Sequence, residues 1–335
     1  VATLSTPSGL LFITANRIGD AVLSSGVLAQ LIETYPDEPV TVACGPVTAP
    51  LFADLPGLER IHPLIRRGRV GHWWDLWRSV RSRRWRVVAD LRGSLIGLTL
   101  GAERRLMFRP AKRHEHRVEE LARQLKLGRV PSPRLWIAPE RDARAAERFG
   151  PDTSPILAIG PTANWGAKQW PGERFAELVR RLTAADGILP GARIAVFGAE
   201  SERAMAQPVL SAIPADRRLD IVGLAHLLDA AALLKRCTLY IGNDSGLMHL
   251  AAATGIPTLG LFGPSPEWRY RPWGEATAVV RTLESHQALV TAPDFDHRKQ
   301  DSLMGSLTVD AVIGAAGALL ARTSPGTRPV TDGPV

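Results

Sequence analysis

Asp244, Ser245 and Gly246 stand between a short apolar run and a helix-forming stretch of small residues, within segment 241–253. A helix N-terminus leaves backbone N–H groups unpaired and carries partial positive charge, which suits phosphate. The amides of Ser245, Gly246 and Leu247 would supply that seat. The Ser245 hydroxyl adds a donor, and Gly246 admits a ligand close to the backbone. A carboxylate at Asp244 can accept hydrogen bonds from sugar hydroxyls; it equally reads as a plain N-cap.

Other segments share this strand-then-helix context. Asn16-Arg17-Ile18-Gly19-Asp20 follows an apolar strand and opens a helix with Leu23, Val27, Leu31 and Tyr35 at i+4 steps. Gly19 reads as the turn residue, and Asp20 falls at a strand-to-helix junction, where open α/β sheets bind ligands. An N-cap is the competing reading for Asp20. Segment 160–171 leads into a helix with Phe175, Leu178, Val179 and Leu182 on one face. Its Lys168 offers a point charge to phosphate or is a solvated surface lysine. After the strand ending at Phe197, Glu200 and Glu202 both suit a bidentate hold on ribose hydroxyls, and both suit a first helical turn.

Elements that could position these residues recur along the chain. Aliphatic strands alternate with helical patterns, which reads as repeated β-α units and parallel sheets. Strands are expected at 10–14, 40–44, 87–91 and 106–108, then at 156–159, 193–197, 239–241, 259–262 and 278–281. Residues 138–155, punctuated by Pro139, Gly150, Pro151 and Pro155, read as a linker. The expected division is 1–150 and 151–322, with a Pro-, Gly- and Thr-rich tail over 323–335 that cannot bury a core.

At 335 residues the chain suits two α/β domains. Two cysteines, Cys44 and Cys237, lack disulfide-framework or metal-ligand spacing and read as buried thiols. The chain opens on Val1, without a signal-peptide pattern, and no apolar run reaches membrane-spanning length. Cytoplasm is the default compartment. The net charge is +8. No helix-turn-helix, zinc-finger or RNA-binding signature accompanies it, so nucleic acid is not the expected partner. An anionic lipid surface or acidic glycolipid fits better. Residues 66–86 hold eight arginines, four tryptophans and one acid, and 104–117 form a second basic stretch. The tryptophans are expected to be buried by a crossover helix, and the arginines to form a basic face. Arg92 ends a strand that turns on Gly93.

The ordered set "RIGDAVLSSGVLAQL", "AKQWPGERFAELVRRL" and "IGNDSGLMHLAAATGIPTLGLFGPS" resembles glycosyltransferase family 9, from about Leu10 to about Leu320. The resemblance implies a GT-B architecture of two Rossmann-like domains facing across a cleft. The acceptor would lie on the N-terminal domain and the nucleotide-sugar on the C-terminal one. It implies inverting transfer, most readily of heptose from ADP-heptose, onto a lipopolysaccharide inner-core or related glycolipid. Asp20 would be the general base. Thr162, Asn164, Lys168, Ser245 and the helix amides would meet the diphosphate, and Asp244 the sugar. His249 would support the Asp244 loop or reach the phosphates, or be a satisfied core histidine. Glu200 or Glu202 would take the ribose, and Arg17, Arg92, Arg109, Lys112 and Arg113 the acceptor. No metal or other cofactor is implied, with a loosely bound Mg²⁺ left open. The enzyme would work peripherally on the cytoplasmic side of the anionic inner membrane. Ser245 and Ser265 replace common threonines but keep the hydroxyl. Two other readings stand beside this one: a nucleotide-sugar epimerase, and a non-catalytic nucleotide-sugar binder.

Overall fold

The computed structural model describes residues 8–66, 68, 70–109, 113–224, 226–291, 295–296 and 301–323. The chain divides into two compact units, Val1–Pro139 and Glu140–Val335. In the first, β1 (Leu10–Ile13), β2 (Val40–Cys44), β3 (Leu58–Pro63), β4 (Trp85–Asp90) and β5 (Ala102–Met107) form a parallel sheet in the order β3-β2-β1-β4-β5. Helices α1 (Ile18–Thr34), α2 (Gly71–Val80), α3 (Ile96–Thr99) and α4 (Arg117–Gln124) connect or flank it. β1 and β2 are buried at every residue, as a parallel sheet covered on both faces requires. Leu76 and Val80 of α2 pack with Ile96 of α3 against Leu11, Ile13 and Val88.

The second unit repeats the plan. β6 (Ile156–Gly160), β7 (Arg193–Val196), β8 (Arg218–Asp220), β9 (Leu239–Asn243), β10 (Thr258–Phe262) and β11 (Thr277–Arg281) pair in parallel in the order β11-β10-β9-β6-β7-β8. Its helices are α5 (Pro139–Phe149), α6 (Gly172–Leu182), α7 (Arg203–Ala212), α8 (Leu227–Leu234), α9 (Gly246–Ala253), α10 (Glu267–Tyr270), α11 (His286–Val290) and α12 (Val309–Thr323). Phe175, Leu178, Val179 and Leu182 of α6 are all buried, with Trp170, in one core beneath β6 and β7. Both units are therefore α/β with wound parallel sheets, the expected fold class.

Several local expectations change. The division falls at Pro139 rather than at residue 150, because α5 docks on the second unit. Arg141 Nη1 donates to Asp229 Oδ1 at 2.6 Å, and Arg193 Nη1 donates to the Phe149 carbonyl at 2.6 Å. Strands β3 and β8 were not anticipated. They are edge strands of sequence LERIHP and RLD, whose charged residues break the apolar signal. Thr323 closes α12; the rest of the anticipated tail lies outside the described residues. Cys44 and Cys237 are free and buried.

Candidate active site

In the second unit the strand order reverses between β6 and β9, which places a crevice at their carboxyl ends. Asn243, the fully buried last residue of β9, spans it. Its Nδ2 donates to the Pro161 carbonyl at 2.8 Å, and its Oδ1 accepts from the Trp170 amide at 3.1 Å. Trp170 is itself anchored through Nε1 to the Leu307 carbonyl, 2.9 Å away. These bonds fix both ends of the loop that carries Lys168. There Lys168 Nζ donates to Asp244 Oδ2 at 2.5 Å, with Asp244 only 5% exposed and Lys168 21%. Lys168 is thus not a solvated lysine, and Asp244 is not an N-cap.

Ser245 is the cap residue of α9, extended at φ −148°, and its side chain makes no capping bond. Its Oγ is buried beside the Tyr240 phenol without the geometry of a formed hydrogen bond. Ser265 Oγ and Trp165 Nε1 are also buried, without a hydrogen-bond partner among the described residues. Burial pushes the Tyr240 phenol up, so it stays protonated. That phenol occupies the space over two glycines: a Cβ on Gly160 would lie 2.0 Å from Tyr240 Oη, and one on Gly242 2.4 Å from it. Gly246 and Leu247 are half-buried, and His249 is buried on α9.

The neighbouring loops separate the two glutamates. Glu202 Oε2 accepts from Thr162 Oγ1 at 2.7 Å and from the Ala199 amide at 3.0 Å, tying the end of β6 to the end of β7. Glu200 is exposed and accepts from Arg203 at 2.8 and 3.0 Å; that guanidinium holds its carboxyl below the usual range. Asn164 is exposed in the Lys168 loop.

In the first unit the order reverses between β1 and β4. Arg92, after β4, donates from Nη1 to Asn16 Oδ1, after β1, at 2.7 Å. Gly93 has φ +64°, a left-handed turn that glycine adopts without strain. It lets Asp90, fully buried, accept from the Arg92 amide at 3.0 Å and from Ser94 Oγ at 2.6 Å. Burial pulls the Arg92 guanidinium below its ordinary value, against the Asp90 charge. Asp20 is not the N-cap of α1. Arg17 holds that position, exposed and without a capping bond, and Gly19 is helical rather than a turn residue. The helix starts earlier than its polar residues suggest. Asp20 is half-buried in the first turn and makes no hydrogen bond or ion pair among the described residues.

Several arginines of the basic stretches are paired rather than free. Arg83 pairs with Glu59, and Arg86 pairs with both Glu38 and Glu103. Arg105 is spent on the carbonyls of Gly97, Leu100 and Ala102, and Arg117 sits 2.8 Å from Glu120. Arg109 and Arg113 are exposed, and Lys112 lies outside the described residues. The tryptophans divide as well. Trp85 is buried in β4, Trp73 and Trp77 pack half-buried on the core, and Trp74 is 57% exposed because it falls on the outer face of α2. Among the described residues no three His, Cys, Asp or Glu side chains converge as metal ligands, and no helix is long and apolar enough to cross a membrane.

Asn243, Tyr240, Asn16 and Asp90 stand beside these candidate residues, and sequence reasoning gave them no role. Polar residues ending buried strands were the available signal, since such groups need partners.

Comparisons with known proteins meet this geometry. The chain is 29% identical over 202 residues to lipooligosaccharide heptosyltransferase 2 of Haemophilus influenzae, spanning 58% of this chain and 57% of that one. It is 24% identical over 335 residues to lipopolysaccharide heptosyltransferase 2 of Salmonella typhimurium, spanning 88% and 92%. A solved structure of Escherichia coli ADP-heptose lps heptosyltransferase II shares the fold, with a TM-score of 0.73 and 22% identity, covering 94% of this chain and 99% of that one. The model of glycosyltransferase family 9 (heptosyltransferase) matches residues 102–297, more than half of the chain, and the protein belongs to that family.

Proposed function

We propose that the protein is an inverting glycosyltransferase that moves heptose from ADP-heptose onto a lipopolysaccharide inner-core or related glycolipid acceptor. One observation supports this reading: charged and polar groups collect at the strand switch point of each unit taken by itself. The first offers the carboxylate of Asp20, without a partner among the described residues; the second offers Lys168, Asp244 and the amides of α9. The names of the relatives supply the donor and acceptor classes.

In this mechanism Asp20 accepts the proton of the acceptor hydroxyl, whose oxygen bonds to the anomeric carbon. The bond from that carbon to the diphosphate oxygen breaks on the opposite face, and ADP leaves with the electron pair. Lys168, Ser245 and the amides of Ser245, Gly246 and Leu247 stabilise the charge that develops there. Thr162 and Asn164 line the same loop, Glu200 takes the ribose, and Asp244 holds sugar hydroxyls, with His249 behind it. Arg17, Arg92, Arg109 and Arg113 meet acidic groups of the acceptor. Lysine and helix dipole supply the charge, so the reading calls for no resident metal, and turnover should persist in chelator. The enzyme would act peripherally, on the cytoplasmic side of the anionic inner membrane, and without nucleic acid.

The test is incubation with a panel of nucleotide-sugars, with and without a lipid A–Kdo acceptor. Transfer from ADP-heptose only when acceptor is present supports the reading. An epimer formed without acceptor makes the protein an epimerase; tight binding without turnover makes it a binder.

A further inference from the structure

Seven of the nine large hydrophobic residues most exposed among the described residues lie in the first unit, and all but Val130 fall in the segments that follow β2, β3 and β4. Those in these segments are Val47, Ile65, Val70, Trp74, Leu95 and Leu98, each more than half exposed. A parallel sheet sends all such segments to one edge, the carboxyl ends of its strands. Single exposed hydrophobics are ordinary; a series confined to one edge is a patch that marks an interaction surface.

The geometry of α2 says which kind. The Trp74 indole stacks on Trp77 with centroids 5.0 Å apart and planes 20° apart, and the Arg81 guanidinium lies 4.8 Å over Trp77. Arg78 follows Trp74 by one helical turn on the same outer face. Arg92 sits 5.0 Å over Trp73, joining the start of α2 to the segment that bears Leu95 and Leu98. Arg66, Arg78 and Arg81 are exposed and have no carboxylate partner among the described residues, whereas Arg83 and Arg86, where the chain enters β4, are neutralised by glutamates. Free cations therefore accompany the apolar patch. Indole rings backed by guanidinium groups, beside aliphatic side chains, match the interfacial layer of a bilayer with anionic headgroups.

We infer that this edge of the first unit is a membrane-insertion surface centred on Trp74. Ile65, Val70, Trp74, Leu95 and Leu98 enter the acyl–headgroup boundary, and Arg66, Arg78 and Arg81 meet headgroup phosphates. Asp20 sits on the same edge, at the start of α1, so insertion brings it to the layer where a lipid-anchored sugar lies. That consequence rests on the glycolipid-acceptor reading; the insertion itself does not. A purely electrostatic attachment would vanish at high salt, whereas apolar insertion survives screening.

The experiment is co-sedimentation of the full chain with phosphatidylethanolamine–phosphatidylglycerol vesicles in 0.1 and 1 M NaCl, alongside the Trp74→Ser and Leu95→Ser/Leu98→Ser variants. Binding of the wild type should persist in part at high salt. Each variant should lower partitioning about tenfold at both salts with its melting temperature unchanged, while Arg66→Gln/Arg78→Gln should lower only the low-salt binding. Brominated lipid should quench fluorescence in the wild type that Trp74→Phe no longer shows. Unchanged partitioning of the serine variants, complete release of the wild type at 1 M NaCl, or self-association abolished by Trp74→Ser would each overturn the inference. Transfer assays separate it from the proposed activity. Trp74→Ser should keep full turnover on a deacylated acceptor and lose it on a vesicle-embedded one. Equal turnover on both sinks the insertion surface alone; insertion without transfer by the wild type to either acceptor sinks the activity alone.

Discussion

Lys168 Nζ and Asp244 Oδ2 stand 2.5 Å apart across the β6–β9 switch point, 76 residues apart in the chain. The cation that would meet a leaving diphosphate is already held by the carboxylate that would hold the sugar. Phosphate must therefore compete with Asp244 for the ammonium. Lys168→Ala should weaken nucleoside diphosphate binding by roughly 10- to 100-fold, the worth of a charge-assisted contact. Asp244→Asn should leave that affinity equal or raised while transfer falls. Calorimetry with ADP on both variants decides; equal weakening by both would make the pair a structural strut.

Asp20→Asn should reduce turnover by about 10²–10⁴-fold with donor affinity unchanged. A carboxylate in the first helical turn contributes about 0.3–1 kcal/mol, so the melting temperature should move by no more than about 4 °C. Steady-state kinetics beside a thermal melt makes the measurement, and near-normal turnover would leave Asp20 with only its helix-dipole role.

The two glutamates of segment 200–202 should separate cleanly. Glu202 is occupied by Thr162 and Ala199, so Glu202→Ala should cost about 1–3 kcal/mol of stability. Glu200 is exposed and held ionised by Arg203, so Glu200→Ala should leave the fold intact and weaken ADP about tenfold. The reverse pattern in melts and titrations would exchange their roles.

Asn243→Ala strands the Pro161 carbonyl and the Trp170 amide inside the core. Each lost partner costs about 1–3 kcal/mol, so denaturant unfolding should show a loss of several kcal/mol. A loss under about 1 kcal/mol would show that the loop is held by Trp170 packing alone.

Burial pushes the Cys44 thiol up to about 11, only partly offset by the nearby Thr48 hydroxyl, and pushes Cys237 up further. A raised pKa disfavours the thiolate, the reactive form, at every pH below it. Alkylation at pH 8 should be negligible in the native state and complete on unfolding, which mass spectrometry reads directly. Rapid native labelling would mean that these cores open locally.

Central strands such as Leu10–Ile13, Ile156–Gly160 and Thr258–Phe262 were legible in the chain because doubly covered parallel strands are unbroken apolar runs. The loops after them were legible too, since glycine and polar residues between a strand and an amphipathic helix have few other uses. Those local signals determined the fold class and brought Asp20, Lys168 and Asp244 forward. Tertiary structure alone decided the partners. β3 and β8 became strands because a neighbour offered an edge, despite their charges. Asn243 became the tie between two loops, Lys168 was claimed by Asp244, and Arg83 and Arg86 were neutralised while Arg66, Arg78 and Arg81 found no carboxylate among the described residues. Periodicity is written between residues three or four apart. A hydrogen bond across 76 or 82 residues exists only once the strands between have fixed the geometry.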